Sequence, residues 1–214
     1  MTMLRAIALA TSLAAALAAA PCTAPPGIVP ALNESLCYQE VLPTNPSGVS
    51  IRQYGASLNA TFAAASGRGA YPQGIQAAIA GVINYFAGAN DDQLNILSAR
   101  TVPFVINPAG GWTAYLEVSP TQFPDNFLIP RPNPGASLEK VNDVVGLVAV
   151  FQYNTTGFPF IEYVQEACGA INNSTLPPGY AFNDTSPVQT LYAFYNGQGA
   201  ANYTSECWMT VYKV

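Results

Sequence analysis

Over residues 71–86 apolar side chains recur every three or four positions: Ile75, Ala78, Ile79, Val82, Ile83 and Phe86. That spacing predicts an amphipathic helix with one inward stripe. Alanine-rich composition favours it, while Gly81 weakens it by about 1 kcal/mol relative to alanine. Residues 158–170 repeat the pattern, with Phe160, Ile161, Val164, Ala167 and Cys168 on one face and Glu162, Gln165 and Glu166 on the other. Short β-branched and aromatic runs bounded by turn formers predict strands at 37–42, 49–54, 96–106, 113–118, 144–153, 188–194 and 207–214, with 58–65 a strand or irregular edge. Residues 120–134 are proline-rich and carry no helical pattern. The element order echoes between the two halves of the chain. It predicts an α+β fold, a mainly antiparallel sheet carrying two helices.

The first residues follow another pattern. Arg5 is the only early charge, and residues 6–20 are almost wholly Ala, Leu and Ile before Pro21. A run this short and rich in small residues reads as a secretory signal peptide, since a spanning helix needs about 20 apolar residues. The expected organisation is a signal peptide at 1–20, a proline-rich arm at 21–36 and one domain at 37–214, with no membrane span in the mature chain. Asn33, Asn59, Asn154, Asn172, Asn173, Asn183 and Asn202 each open an Asn-x-Ser/Thr sequon, the acceptor chemistry of secreted surfaces. Cys22, Cys37, Cys168 and Cys207 form an even set that suits an oxidising compartment. Four cysteines allow three connectivities. The favoured one joins Cys22 to Cys37 and Cys168 to Cys207, although cleavage beyond Cys22 would leave an odd thiol.

Charge and composition remove several functions. Seven Lys+Arg stand against twelve Asp+Glu, and loss of Arg5 with the leader makes the net charge one unit more negative than −5. No basic stripe exists to contact phosphates, so nucleic acid is not an expected partner. The chain has no histidine. A Ser-His-Asp triad, a Cys-His dyad and a His-ligated zinc are therefore excluded, and no Asp/Glu pair stands out, so no enzyme is expected. Asp91-Asp92 lacks the spaced oxygen ligands of a calcium loop and reads as a turn.

Several segments together suggest a family. Tyr85-Phe86-Ala87-Gly88-Ala89-Asn90 at the end of the first helix, followed by Arg100-Thr101-Val102-Pro103, resembles the Tyr-x-x-Gly-x-Asn and Met-Thr-x-Pro-Val signature of the SOUL/haem-binding proteins. Cys37-Tyr38-Gln39-Glu40-Val41, Val49-Ser50-Ile51-Arg52-Gln53-Tyr54, Leu147-Val148-Ala149-Val150-Phe151 and Glu206-Cys207-Trp208 resemble further segments of that family, in the same order. The resemblance implies a distorted antiparallel β-barrel of two quasi-repeated halves flanked by two helices. It also implies noncovalent binding of haem or another tetrapyrrole, a small hydrophobic ligand, in an apolar groove beside the first helix. Carried onto this chain, the groove residues are Ile79, Ile83, Asn84 and Arg100, with Arg52, Arg68 or Arg100 available to propionates. Asn84 replaces the family's basic residue and Arg100 its methionine. Without histidine, any haem would be held through its macrocycle, and a metal-free porphyrin fits equally well. The implied role is a secreted carrier or scavenger. The alternative is an extracellular interaction or structural glycoprotein that keeps the fold without a ligand.

Overall fold

A computed structural model describes residues 38–54, 61–96, 104–108, 111–119, 122–123, 126–157, 161–186, 190–195 and 201–214. The leader, the proline-rich arm, Cys22, Cys37, Asn33, Asn59 and Arg100 lie outside the described residues. In chain order the elements are β1 (Tyr38–Leu42), β2 (Val49–Tyr54), β3 (Thr61–Gly67), α1 (Gln73–Phe86), β4 (Phe104–Asn107), β5 (Trp112–Glu117), β6 (Ala136–Lys140), the single turn α2 (Val141–Val144), β7 (Leu147–Thr156), α3 (Ile161–Gly169), β8 (Tyr180–Phe182), β9 (Thr190–Phe194) and β10 (Asn202–Lys213). A 3-10 turn, Asn126–Leu128, interrupts the proline-rich stretch.

All pairings are antiparallel, in the order β1-β2-β7-β10-β9-β4-β5-β3-β6, with β8 added to β10. The α+β expectation holds. The ladder does not close, because no pairing joins β1 to β6 among the described residues. Directly opposed residues share a face. The register therefore aligns Ala65 and Gly67 with Ala114 and Trp112, and continues through Ile106 and Tyr192 to Cys207. Helix α1 packs on β3 and β5, and the Cys168–Cys207 disulfide ties α3 to β10, so both helices occupy this face. The other face carries Phe62, Ala64, Leu191 and Trp208, all buried as well, so both faces of the sheet are covered within one continuous core.

Helix α1 lies very close to the sheet. A Cβ on Gly67 would overlap the Gly74 carbonyl and stand 2.6 Å from the Ala78 nitrogen. One on Gly81 would stand 2.6 Å from the Ala65 Cβ, and one on Gly74 would strike the Trp112 ring. Gly81 is thus more than a weak point in the helix. Its missing side chain lets the helix backbone approach the strands.

Several expected bounds move. The strand expected at 58–65 is Thr61–Gly67, and the last strand begins at Asn202 rather than 207. The strand expected at 96–106 is Phe104–Asn107, with 97–103 outside the described residues. Strands β6 and β8 were not foreseen. Ala-Ser-Leu-Glu-Lys has little strand propensity of its own, and β6 exists because β3 supplies a ladder from Thr61 to Ala65.

Candidate functional site

The end of α1 explains the local motif on which the family resemblance rests. The Ala87 amide donates to the Ile83 carbonyl, and Gly88 turns the chain at φ +103°, a conformation that favours glycine. Asn90 is buried, and its Nδ2 donates to the carbonyls of Tyr85 (3.1 Å) and Leu94 (2.8 Å). Its Oδ1 accepts from the Leu94 amide at 3.0 Å. Tyr85 donates its hydroxyl to the Pro130 carbonyl at 2.9 Å, and the Asp91 carboxylate accepts the Arg131 amide at 2.8 Å. Burial, with the Asp91 charge nearby, pushes Tyr85 up to about 12. Asp91 and Asp92 form a turn, as expected, and the whole segment locks residues 130–133 against the helix end.

The expected groove residues separate. Ile75, Ala78, Val82 and Phe86 are buried, whereas Ile79 is half-buried and Ile83 is 46% exposed. One helical turn apart, Ile79 and Ile83 form an apolar flank between the packed face and solvent, with exposed Asn84 beside them. Arg100 lies outside the described residues.

Arg52 is not available to a propionate. Its Nη1 donates to Glu206 Oε1 at 2.8 Å in an ion pair whose side chains are 6% and 0% exposed. It donates to the Tyr54 hydroxyl at 3.3 Å, and its guanidinium lies 4.4 Å from the centre of the Tyr38 ring. Glu206 Oε2 accepts from the Tyr195 hydroxyl (2.6 Å) and from Trp208 Nε1 (2.7 Å). Trp208 stacks on Tyr54 with centroids 4.4 Å apart. Burial opposes the Arg52 charge, but Tyr54 and the Glu206 carboxylate outweigh it and raise the guanidinium above its ordinary value. Burial, then Glu206, pushes both Tyr54 and Tyr195 upward. Every polar atom of the Glu206 side chain is engaged, so the cluster is a structural clamp joining β2, β10 and the end of β9. The signal for it was slight: Arg52 within one expected strand and Glu206 just ahead of another, two opposite charges in a chain only 9% charged. What the sequence did not reveal is that they meet.

Of the expected glycan acceptors, Asn154, Asn172, Asn173 and Asn202 are exposed and Asn183 is half-buried. Asn154 and Asn202 are diagonal neighbours on β7 and β10, where Asn202 opposes Thr156 and Thr204 opposes Asn154. The favoured Cys168–Cys207 pairing is present. A pocket of about 110 Å³ lies elsewhere, lined by Phe182, Asn183, Asp184, Thr190, Met209 and Thr210. No described helix is long and apolar enough to cross a membrane. The chain matches no protein-family model and no curated protein sequence.

Proposed function

We propose that this chain is a secreted, non-catalytic binding protein that takes a flat hydrophobic ligand, haem or a metal-free porphyrin, against the α1 flank. The observation that carries the reading is Ile83, a large aliphatic side chain 46% exposed on a helix whose Ile75, Ala78, Val82 and Phe86 are buried. Half-buried Ile79 extends the same apolar surface by one turn. The residues fit the face of a macrocycle and its carboxylates but not an axial histidine bond, since the chain has none. With Arg52 committed to Glu206, the propionates fall to Arg68, which is exposed, and to Arg100. The barrel of two quasi-repeated halves belongs to the same proposal.

A second reading, an extracellular glycoprotein that keeps the fold for protein contacts, draws on a different observation. Asn154, Asn172, Asn173 and Asn202 are all exposed, so glycans attached there would face other extracellular molecules. Hemin titration of the secreted protein, followed by Soret absorbance, separates the two. A saturable shift that Ile83→Glu weakens at least tenfold supports ligand binding. Ile83 is exposed enough for that change to spare the fold, and Ile79→Glu/Ile83→Glu extends the test if circular dichroism shows the variant folded. No shift at micromolar hemin removes the haem reading.

A further inference from the structure

We propose that Asn183 carries an N-glycan whose first N-acetylglucosamine seats in the pocket beside it, so that the sugar completes the fold where β10 changes partners. The inference rests on the reading of the chain as secreted. Strand β9 pairs with β10 as far as Met209, and β8 takes over at Val211. The notch between them, at Thr210, is the 110 Å³ pocket. One of its walls is the acceptor residue of the Asn183-Asp184-Thr185 sequon.

Local geometry holds that acceptor at the pocket. The Asn183 amide donates to the Thr210 carbonyl at 2.9 Å, and the Ser186 amide closes a turn on the Asn183 carbonyl at 3.1 Å. Thr185 Oγ1 donates to Asn183 Oδ1 at 2.9 Å, so the side-chain oxygen is held while that bond leaves Nδ2 free for a sugar. The lining suits a proximal N-acetylglucosamine. Phe182 and Met209 offer apolar surface to the ring face and the acetamido methyl. Thr190 offers a hydroxyl to the sugar's polar edge, and Asp184 and Thr210 make the rest of that wall polar. A pocket this small takes one sugar edge, not a porphyrin.

Attachment replaces an Nδ2 hydrogen by C1 of the sugar. The C1–O bond to the lipid pyrophosphate of the oligosaccharide donor breaks, that pyrophosphate leaves, and the Nδ2 proton passes to the medium. The reaction occurs on the unfolded chain, so the half-burial of Asn183 is no obstacle. Folding then brings Phe182 and Met209 to the sugar.

The test expresses the full chain in a eukaryotic secretory host and maps occupancy by glycopeptide mass spectrometry. Thermal melts then compare wild type, Thr185→Ala (no sequon), Thr185→Ser (sequon kept) and Asn154→Gln (a different, exposed glycan removed). Expected are occupancy at Asn183 and a melting temperature about 2–4 °C lower for Thr185→Ala, the shift of about 1 kcal/mol in a chain of this size. Thr185→Ser and Asn154→Gln should melt like wild type, and trimming every glycan to one N-acetylglucosamine should leave the wild-type melt unchanged. Unglycosylated protein from bacteria should show less than half that difference between wild type and Thr185→Ala, the part due to the lost Thr185–Asn183 hydrogen bond. A bacterial difference as large as the eukaryotic one would assign the effect to the lost hydroxyl and overturn the proposal. Occupied Asn154 and Asn202 with bare Asn183 would overturn it while leaving secretion intact. If no sequon is occupied, the secretion reading fails with it. Equal melts of glycosylated wild type and Thr185→Ala would show an unseated glycan.

Discussion

Changing Glu206 to glutamine tests the interior charge clamp with almost no change of shape. The native carboxylate receives three hydrogen bonds, from Arg52 at 2.8 Å, Tyr195 at 2.6 Å and Trp208 at 2.7 Å. A glutamine offers one oxygen, and its NH₂ must face at least one of those donors. It also leaves the Arg52 guanidinium, 6% exposed on its side chain, without a counter-charge. Removing one partner of a buried pair costs about 3–5 kcal/mol. For a chain of this length that lowers the melting temperature by about 6–20 °C. Urea unfolding followed by tryptophan fluorescence measures the free energy. Near-UV circular dichroism reports on Trp208, one of those three donors. Arg52→Met/Glu206→Gln completes a cycle, and the double variant should be less damaged than the sum of the singles by about 1–3 kcal/mol. A loss below about 1 kcal/mol for Glu206→Gln, or strictly additive effects, would refute the argument that a desolvated pair holds β2 to β10.

Gly81→Ala, which raises intrinsic helix propensity, should destabilise the protein by about 1–3 kcal/mol in urea because its Cβ meets Ala65; a stabilised variant would contradict the close packing. Gly67→Ala should cost more, since its Cβ meets helix backbone rather than a movable side chain. Burial pushes Tyr85 and Tyr115 up to about 12 and Tyr54 and Tyr195 upward as well, so the fold keeps protons that the unfolded chain loses near pH 10. Stability should then fall as pH rises above about 10, by up to about 1.4 kcal/mol per pH unit for each such tyrosine, and these groups should leave it flat below pH 9. Tyrosinate absorbance that rises in the folded protein at pH 10 as it does in the denatured chain would count against this. The Cys168–Cys207 bridge closes a separation of 39 residues, and chain entropy sets its contribution at about 4 kcal/mol, so Cys168→Ser/Cys207→Ser should show that loss in urea unfolding.

The sequence by itself determined the local elements. The three-to-four-residue spacing of Ile75, Ala78, Val82 and Phe86 set α1, because a helix must turn one stripe inward whatever it packs against. Turn formers bounded β1, β2, β5 and β7 to within a few residues, and the Cys168–Cys207 pairing was the favoured one. What the tertiary structure decided is what depends on distant partners. Ile83 belonged to the same stripe as Val82, yet only the position of the sheet leaves one exposed and the other buried. Strand β6 has little propensity and forms where β3 offers a ladder. Arg52 and Glu206 lie 154 positions apart, and no local pattern could show that β7, pairing with both β2 and β10, sets them on one face within 2.8 Å. Gly81 reads as a helix defect until Ala65 is seen beneath it. Local sequence carries periodicity and turn chemistry, both functions of neighbouring residues. Exposure, ion pairing and close backbone approach are properties of the assembled sheet.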